Sequence, residues 1–297
     1  MGAAINVDAD YKIIARNISR VFRSKRACEK RKAFKAVDNI NLWVKDGEFV
    51  TIVGPSGCGK STFLDILAGL SDPTSGEIYI DGEKITGPSL DRGIVLQGYA
   101  LFPWRTVKQN IEYGLEIKKV PKKERHEVST RFIELVGLSG FGDHVPHELS
   151  GGMKQRVALA RALAYDPKVL LMDEPFAAVD AQTREILQDE LLSIWEKTGK
   201  TIVFITHSIE EAVFLADMVV VLSPGPGTVK AVVPVELPRP RRIRDIRNSI
   251  DFSRISGEVW NLLHGIEIPA AGNGLVPVYG GAVSFEAEKR HLDSAAL

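Results

Sequence analysis

The chain has 297 residues, enough for one large domain or two modest ones, and its 44% hydrophobic and 26% charged residues are ordinary for a globular protein. Its 38 Lys and Arg balance 38 Asp and Glu, which excludes an overall field drawing the protein to nucleic acid or anionic lipid. Two cysteines, Cys28 and Cys58, exclude a disulfide framework and fit a reducing cytoplasm. No apolar run approaches the roughly 18 residues of a membrane-spanning helix, and Met1 to Tyr11 lacks the pattern of a signal peptide.

In chain order, Ile13 to Ser19 and Ile40 to Val44 alternate in the manner of antiparallel strands. They flank a basic loop carrying Arg23, Lys25, Arg26, Lys30, Arg31, Lys32 and Lys35, read as a solvated connection or, alternatively, as a lipid-headgroup contact. Phe49 to Val53, Gly93 to Leu96, Val169 to Met172, Thr201 to Thr206 and Met218 to Leu222 are apolar on consecutive residues, the pattern of strands covered on both faces of a parallel sheet. Amphipathic stretches such as Thr183 to Trp195 separate several of them, which predicts an α/β fold. Between Thr106 and Leu138 the pattern is mostly helical, an all-helical insertion. The composition shifts again after Pro238, with Arg241, Arg242, Arg244 and Arg247, and the Gly/Ala-rich stretch from Pro269 is expected to be poorly ordered.

Gly54-Pro55-Ser56-Gly57-Cys58-Gly59-Lys60-Ser61 follows the first of these apolar strands and leads into a predicted helix over Thr62 to Leu70. The arrangement G-x-x-x-x-G-K followed by Ser or Thr arises by chance in a chain of this length roughly once in 100. Small residues let backbone N–H groups converge on phosphate oxygens, Lys60 reaches the β and γ phosphates, and the Ser61 hydroxyl takes a Mg²⁺ position. Val169 to Met172 delivers Asp173 and Glu174 to the carboxyl end of a strand, Asp173 suited to Mg²⁺ and Glu174 to polarising a water.

Leu149-Ser150-Gly151-Gly152-Met153-Lys154-Gln155-Arg156 is a second anion cradle at a helix start, ended downstream by Asp166-Pro167. It resembles the signature of ABC ATPases. The resemblance runs from residue 13 to about 225 and implies a P-loop (RecA-like) core with an antiparallel β subdomain and an inserted helical subdomain. The ATPase domain is expected over 11–235, its helical insertion over about 105–165, and a C-terminal extension over 236–297. It implies ATP and Mg²⁺ as cofactors, with Glu174, His207 and Gln97 catalytic and Ser61, Gln97 and Asp173 around the metal. Gly54 to Ser61, Thr62, Ser150, Gly151, Gly152 and Asp180 would bind nucleotide, with either Phe22 or Phe34 stacked on adenine. It further implies a head-to-tail homodimer with ATP at the interface, docked on membrane-spanning permease subunits at the cytoplasmic face and served by an extracytoplasmic substrate-binding protein, with no nucleic acid partner. Gln97-Gly-Tyr-Ala-Leu-Phe-Pro-Trp104 and Ser223-Pro-Gly-Pro-Gly227 look like importer subunits of the nitrate, sulfonate and taurine group, although Gly98 stands where that group has an acidic residue. The rival reading is a soluble ATPase of the same type acting on nucleic acid, ribosomes or cofactor assembly. A single cassette with balanced charge speaks against it.

Overall fold

The computed structural model describes residues 11–23 and 33–265. The core of the basic loop and the Gly/Ala-rich tail lie outside these residues.

Two sheets carry the architecture. Strands β1 (Tyr11–Arg23), β2 (Ala33–Lys45), β4 (Ser75–Ile80) and β5 (Glu83–Lys84) form an antiparallel sheet in the order β2-β1-β4-β5. The long β1–β2 pair is kinked by register shifts near Asn17 and Asn39, both with left-handed backbones, a conformation asparagine tolerates better than most residues. β4 and β5 are joined by Asp81-Gly82, with φ of 51° and 75°, the paired left-handed geometry that suits a tight hairpin.

The second sheet runs β10-β9-β3-β8-β7-β6 and consists of β3 (Phe49–Val53), β6 (Arg92–Val95), β7 (Val169–Asp173), β8 (Thr201–Ile205), β9 (Met218–Leu222) and β10 (Val229–Pro234). Its strands are parallel except for the edge strand β10. The five apolar runs of the sequence are its five parallel strands, and their continuity has a plain cause. Along β8, Ile202 and Phe204 enter one core while Val203 and Ile205 enter another; β7 and β9 divide in the same way. One core lies under the antiparallel sheet and α1 (Lys60–Leu67). The other is covered by α4 (Gly151–Ala164), α5 (Ala181–Thr198) and α6 (Ile209–Leu215).

Between β6 and α4 the chain forms α2 (Val107–Ile117) and α3 (Lys122–Leu135), the expected helical insertion. Thr106 and Gln109 close a reciprocal capping box at the start of α2. Beyond β10 the chain does not leave the body. Val235 and Leu237, then Ile243 and Ile246 of α7 (Ile243–Ile246), then Phe252, Ile255 and Val259 of α8 (Ile250–His264) all enter the larger core. The Pro-Arg segment is the fastener. The Arg241 guanidinium is buried and donates to the carbonyls of Phe214, Ala216, Val235 and Leu237, and that burial lowers its pKa to about 10. Arg239 pairs with Asp217 and lies 4.1 Å from the centroid of the Trp195 ring.

Candidate functional site

The strand registers bring the sequence-predicted residues to one end of the parallel sheet. Ile52 of β3 and Asp173 of β7 both pair with Ile205 of β8, so the residues that follow them, from Gly54, Glu174 and Thr206 onward, emerge side by side at the carboxyl ends. Gly54 sits where a Cβ would lie 2.7 Å from the Cys58 sulfur, so the loop can close tightly only on glycine. Gly59, with φ of 99°, precedes α1 and gives that helix no side-chain cap, whereas Thr106, Ser150, Asp180, Ser208 and Ser249 cap α2, α4, α5, α6 and α8. The first N–H groups of α1 therefore remain available to an anion, beside Pro55, Ser56 and Gly57 in the same turn.

The Lys60 side chain is folded back over the loop, its Nζ donating to the Gly54 carbonyl at 2.8 Å and the Pro55 carbonyl at 3.1 Å. Neutral carbonyls hold it in place without cancelling its charge. Ser61 donates from Oγ to Asp173 Oδ1 at 3.2 Å, and Thr62, half-buried, continues the first turn. Burial, with Glu174 adding to it, raises the Asp173 pKa, while the Ser61 hydrogen bond opposes the rise.

Glu174 has φ of 42°, in the left-handed region, and its Oε2 lies 3.3 Å from His207 Nδ1. Behind His207 stands a network that the sequence reading missed. The buried Glu211 carboxylate accepts from the Thr206 hydroxyl and, at 2.8 Å, from Gln188 Nε2, and Thr206 in turn accepts from the Ser208 N–H at 3.0 Å. His207 is thus bracketed by two residues whose positions depend on one carboxylate. Burial raises the Glu211 pKa, opposed by those hydrogen bonds. The available signal was an acid four residues beyond His207 in a short helix that buries that face.

Ser150, Gly151, Gly152 and Asp180 form a separate group. Ser150 Oγ accepts from Met153 N at 3.3 Å, and Asp180 Oδ1 accepts from Thr183 N at 3.0 Å, which holds the Asp180 carboxyl below its usual range. A Cβ on Gly152 would lie 2.8 Å from Thr183 Cγ2, so the starts of α4 and α5 pack directly together. Among the described residues no hydrogen bond or ion pair joins this group to Lys60, Ser61 or Asp173.

Gln97 is exposed just past the end of β6, the strand that pairs with β7. The chain then passes through Gly98, Tyr99 and Ala100, with φ of 79°, 70° and 47°. Gly98 is suited to this bend in a way an acidic residue is not. Arg161 of α4, a second residue the sequence reading overlooked, donates to the Tyr99 carbonyl at 3.0 Å and the Ala100 carbonyl at 2.7 Å. Its signal was the single charge in the Ala- and Leu-rich second half of α4, from Val157 to Ala164. Phe22 and Phe34 are cross-strand partners at the end of the β1–β2 pair, 43% and 59% exposed, with the Arg20 guanidinium 5.0 Å from the Phe22 ring centroid.

The ABC transporter family model matches residues 37–177. An uncharacterized ABC transporter ATP-binding protein of Methanocaldococcus jannaschii is 56% identical over 229 residues, covering 77% of this chain and 84% of that protein. The chain belongs to the ABC transporter family. The nitrate import ATP-binding protein NrtD of Synechocystis is 48% identical over 256 residues, 84% of this chain and 94% of NrtD. The bicarbonate transport ATP-binding protein CmpC of Synechococcus elongatus is 45% identical over 234 residues, 78% of this chain and 35% of CmpC. An ATP-binding cassette solved as a dimer in a post-hydrolysis state with ADP and Pi shares 34% identity over 76% of this chain and 100% of that one, with a TM-score of 0.66. As a member of this family the chain is an ATP-binding subunit of a transporter and hydrolyses ATP.

Proposed function

We propose that this subunit drives import of a small anion of the nitrate, sulfonate or taurine type. The single observation that carries the mechanism is the division of the site. Lys60, Ser61, Asp173, Glu174 and His207 converge at one end of the sheet, while Ser150, Gly151, Gly152 and Asp180 form a group of their own. Two anion cradles with one set of acidic groups suit a pair of copies arranged head to tail, each ATP bound by one copy's Lys60 loop and covered by the other's Ser150.

In this reading Lys60 and the uncapped start of α1 hold the β and γ phosphates, and Phe22, next to Phe34, stacks on adenine. Glu174 orients and polarises the attacking water, and His207 faces the γ-phosphate. The Ser61 hydroxyl and the Asp173 carboxylate are hard oxygen donors 3.2 Å apart, and among the described residues no cluster of three or more His, Cys, Asp or Glu forms a metal cage. That donor set fits Mg²⁺, which takes few protein ligands and completes its shell with phosphate and water. Ser61 and Asp173, with Gln97 nearby, would hold the ion, which neutralises phosphate charge in the transition state. The γ-phosphate is the group whose presence distinguishes the closed pair from the open one.

Exposed Trp104, beside Phe102 on the chain leading into α2, offers an aromatic contact to a membrane subunit, and the chain itself sits peripherally on the cytoplasmic face. The import direction and the anion rest on the similarity to NrtD, on CmpC as a second relative named for an oxyanion, and on the Gln97–Trp104 and Ser223–Gly227 segments. Such an importer works with an extracytoplasmic binding protein.

The test is an affinity pull-down of the tagged protein from detergent-solubilised native membranes, followed by ATPase assay and reconstitution of the eluate. The expected result is a co-purifying multi-spanning subunit, ATPase abolished by Glu174→Gln, and ATP-dependent anion uptake once the binding protein is added. Recovery of active protein only with ribosomes or nucleic acid would overturn the transport reading.

A further inference from the structure

The loop Ser223–Gly227, after β9, has no part in the roles described so far, yet it closes against the phosphate loop. Gly227 donates from N to the Ala36 carbonyl at 3.0 Å and accepts from Asp38 N at 2.8 Å, so it is bonded to β2 on one side. On the other side there is no room at all. A Cβ at Gly227 would lie 2.0 Å from the Cys58 carbonyl oxygen and 3.2 Å from the Cys58 carbonyl carbon. Gly59 is shut in from β2, where a Cβ would lie 2.6 Å from both the Ala36 carbonyl oxygen and Val37 Cγ1. The Cys58–Gly59 peptide is therefore walled in by Gly227 and β2.

A trans peptide is a rigid plane whose C=O and N–H point in opposite directions. With the Cys58 oxygen against Gly227, the Gly59 N–H is aimed away from that loop, and N–H groups of such a turn are what meet phosphate. We propose that Gly227 is a positioning residue for ATP, fixing the Cys58–Gly59 peptide plane so that the Gly59 N–H faces the phosphates. The inference rests on the reading of residues 54–61 as the phosphate cradle. Any side chain at 227 forces the Cys58 carbonyl back by roughly 1 Å and swings the N–H with it. This N–H would face the part of the ATP that stays in the cradle and binds ground state and transition state alike, so the loss is expected in KM and not in kcat.

The test uses the full chain and measures ATPase kinetics and ATP affinity. Gly227→Ala is expected to raise KM for ATP about tenfold or more, with kcat at saturation within about threefold of the parent. Ser223→Ala adds no bulk but removes the hydroxyl that pairs with Thr228 Oγ1 at 2.9 Å and receives the Thr228 N–H at 3.1 Å, and it is expected to raise KM about threefold. Gly257→Ala, on the exposed face of α8 with nothing within 4 Å of the added carbon, leaves KM unchanged. If Lys60→Ala retained full ATP affinity, the cradle reading itself would fail. If Lys60→Ala abolished binding while Gly227→Ala and Ser223→Ala kept KM within about twofold, or lowered kcat and stability at constant KM, the inference alone would fail. Should Gly227→Ala not fold, Ser223→Ala decides.

Discussion

At the start of α1 the helix has no side-chain cap, and Lys60 leans on neutral carbonyls, so both donors and charge remain free. At the start of α4, Ser150 caps its own helix, and at the start of α5, Asp180 does the same. The first arrangement is ready for a highly charged ligand. The second has its Met153 N–H taken by Ser150 of the same chain, and it offers outward the Ser150 hydroxyl hydrogen and the N–H groups of Gly151 and Gly152. Two segments that both resemble anion cradles on paper thus differ in what they have left to give: the first adds a lysine charge beside a magnesium-type donor pair, while the second has one donor already committed and, among the described residues, no cation bonded to it.

The sharpest way to break this contrast is Glu174→Gln. It is expected to lower kcat by about 100-fold or more while ATP still binds and the paired, ATP-bound form accumulates, read by turnover and by size-exclusion chromatography with ATP. Full turnover, with no ATP-stabilised pair, would remove Glu174 from its role. Ser150→Ala probes the other half: kcat should fall about tenfold, whereas the ATP affinity of an isolated copy stays within about twofold. A parallel loss of affinity in the isolated copy would mean that both cradles serve one ATP in one chain. The same variant loses a helix cap and should cost about 1 kcal/mol in denaturant unfolding.

Arg161→Ala tests how the signature helix is tied to the Gln97 loop. It should lower ATPase in the assembled complex about fivefold, and Arg161→Lys should not restore it, because one guanidinium fork reaches two carbonyls that a single ammonium serves poorly. The smallest effect is expected from Asp180→Asn. The folded-state pKa of Asp180 is lowered from 3.8, so its charge contributes stability that is full above 3.8 and is lost as pH falls through the lowered value. Thermal unfolding of parent and variant should therefore differ slightly at neutral pH and converge in acid, since asparagine keeps the cap but not the charge.

Much of this was legible in the chain itself, for identifiable reasons. The five parallel strands are covered on both faces, so each writes an uninterrupted apolar run. The phosphate loop needs glycines at positions where backbone or sulfur fills the space of a side chain. The stripe of Phe252, Ile255 and Val259 in α8 was equally readable, but the arginines before it drew the eye to charge, and two of those arginines are buried or half-buried fasteners. The contact of Gly227 with Cys58 joins residues distant in sequence and no local pattern marks it, whereas Arg161 and Glu211 are marked locally but their distant partners, Tyr99 and Ala100 for the one and Gln188 for the other, are not. Gly98 is the instructive case. It looks like a departure until its φ of 79° shows a backbone that glycine accepts freely.

The same bend has an energetic corollary. Tyr99 and Ala100 both carry left-handed backbones, each disfavoured by roughly 1–2 kcal/mol, and the two hydrogen bonds from Arg161 hold them there. The connection between the sheet and the helical insertion is therefore strained, and the side chain that holds the strain in place belongs to α4, so the shape of this bend is tied to the position of that helix.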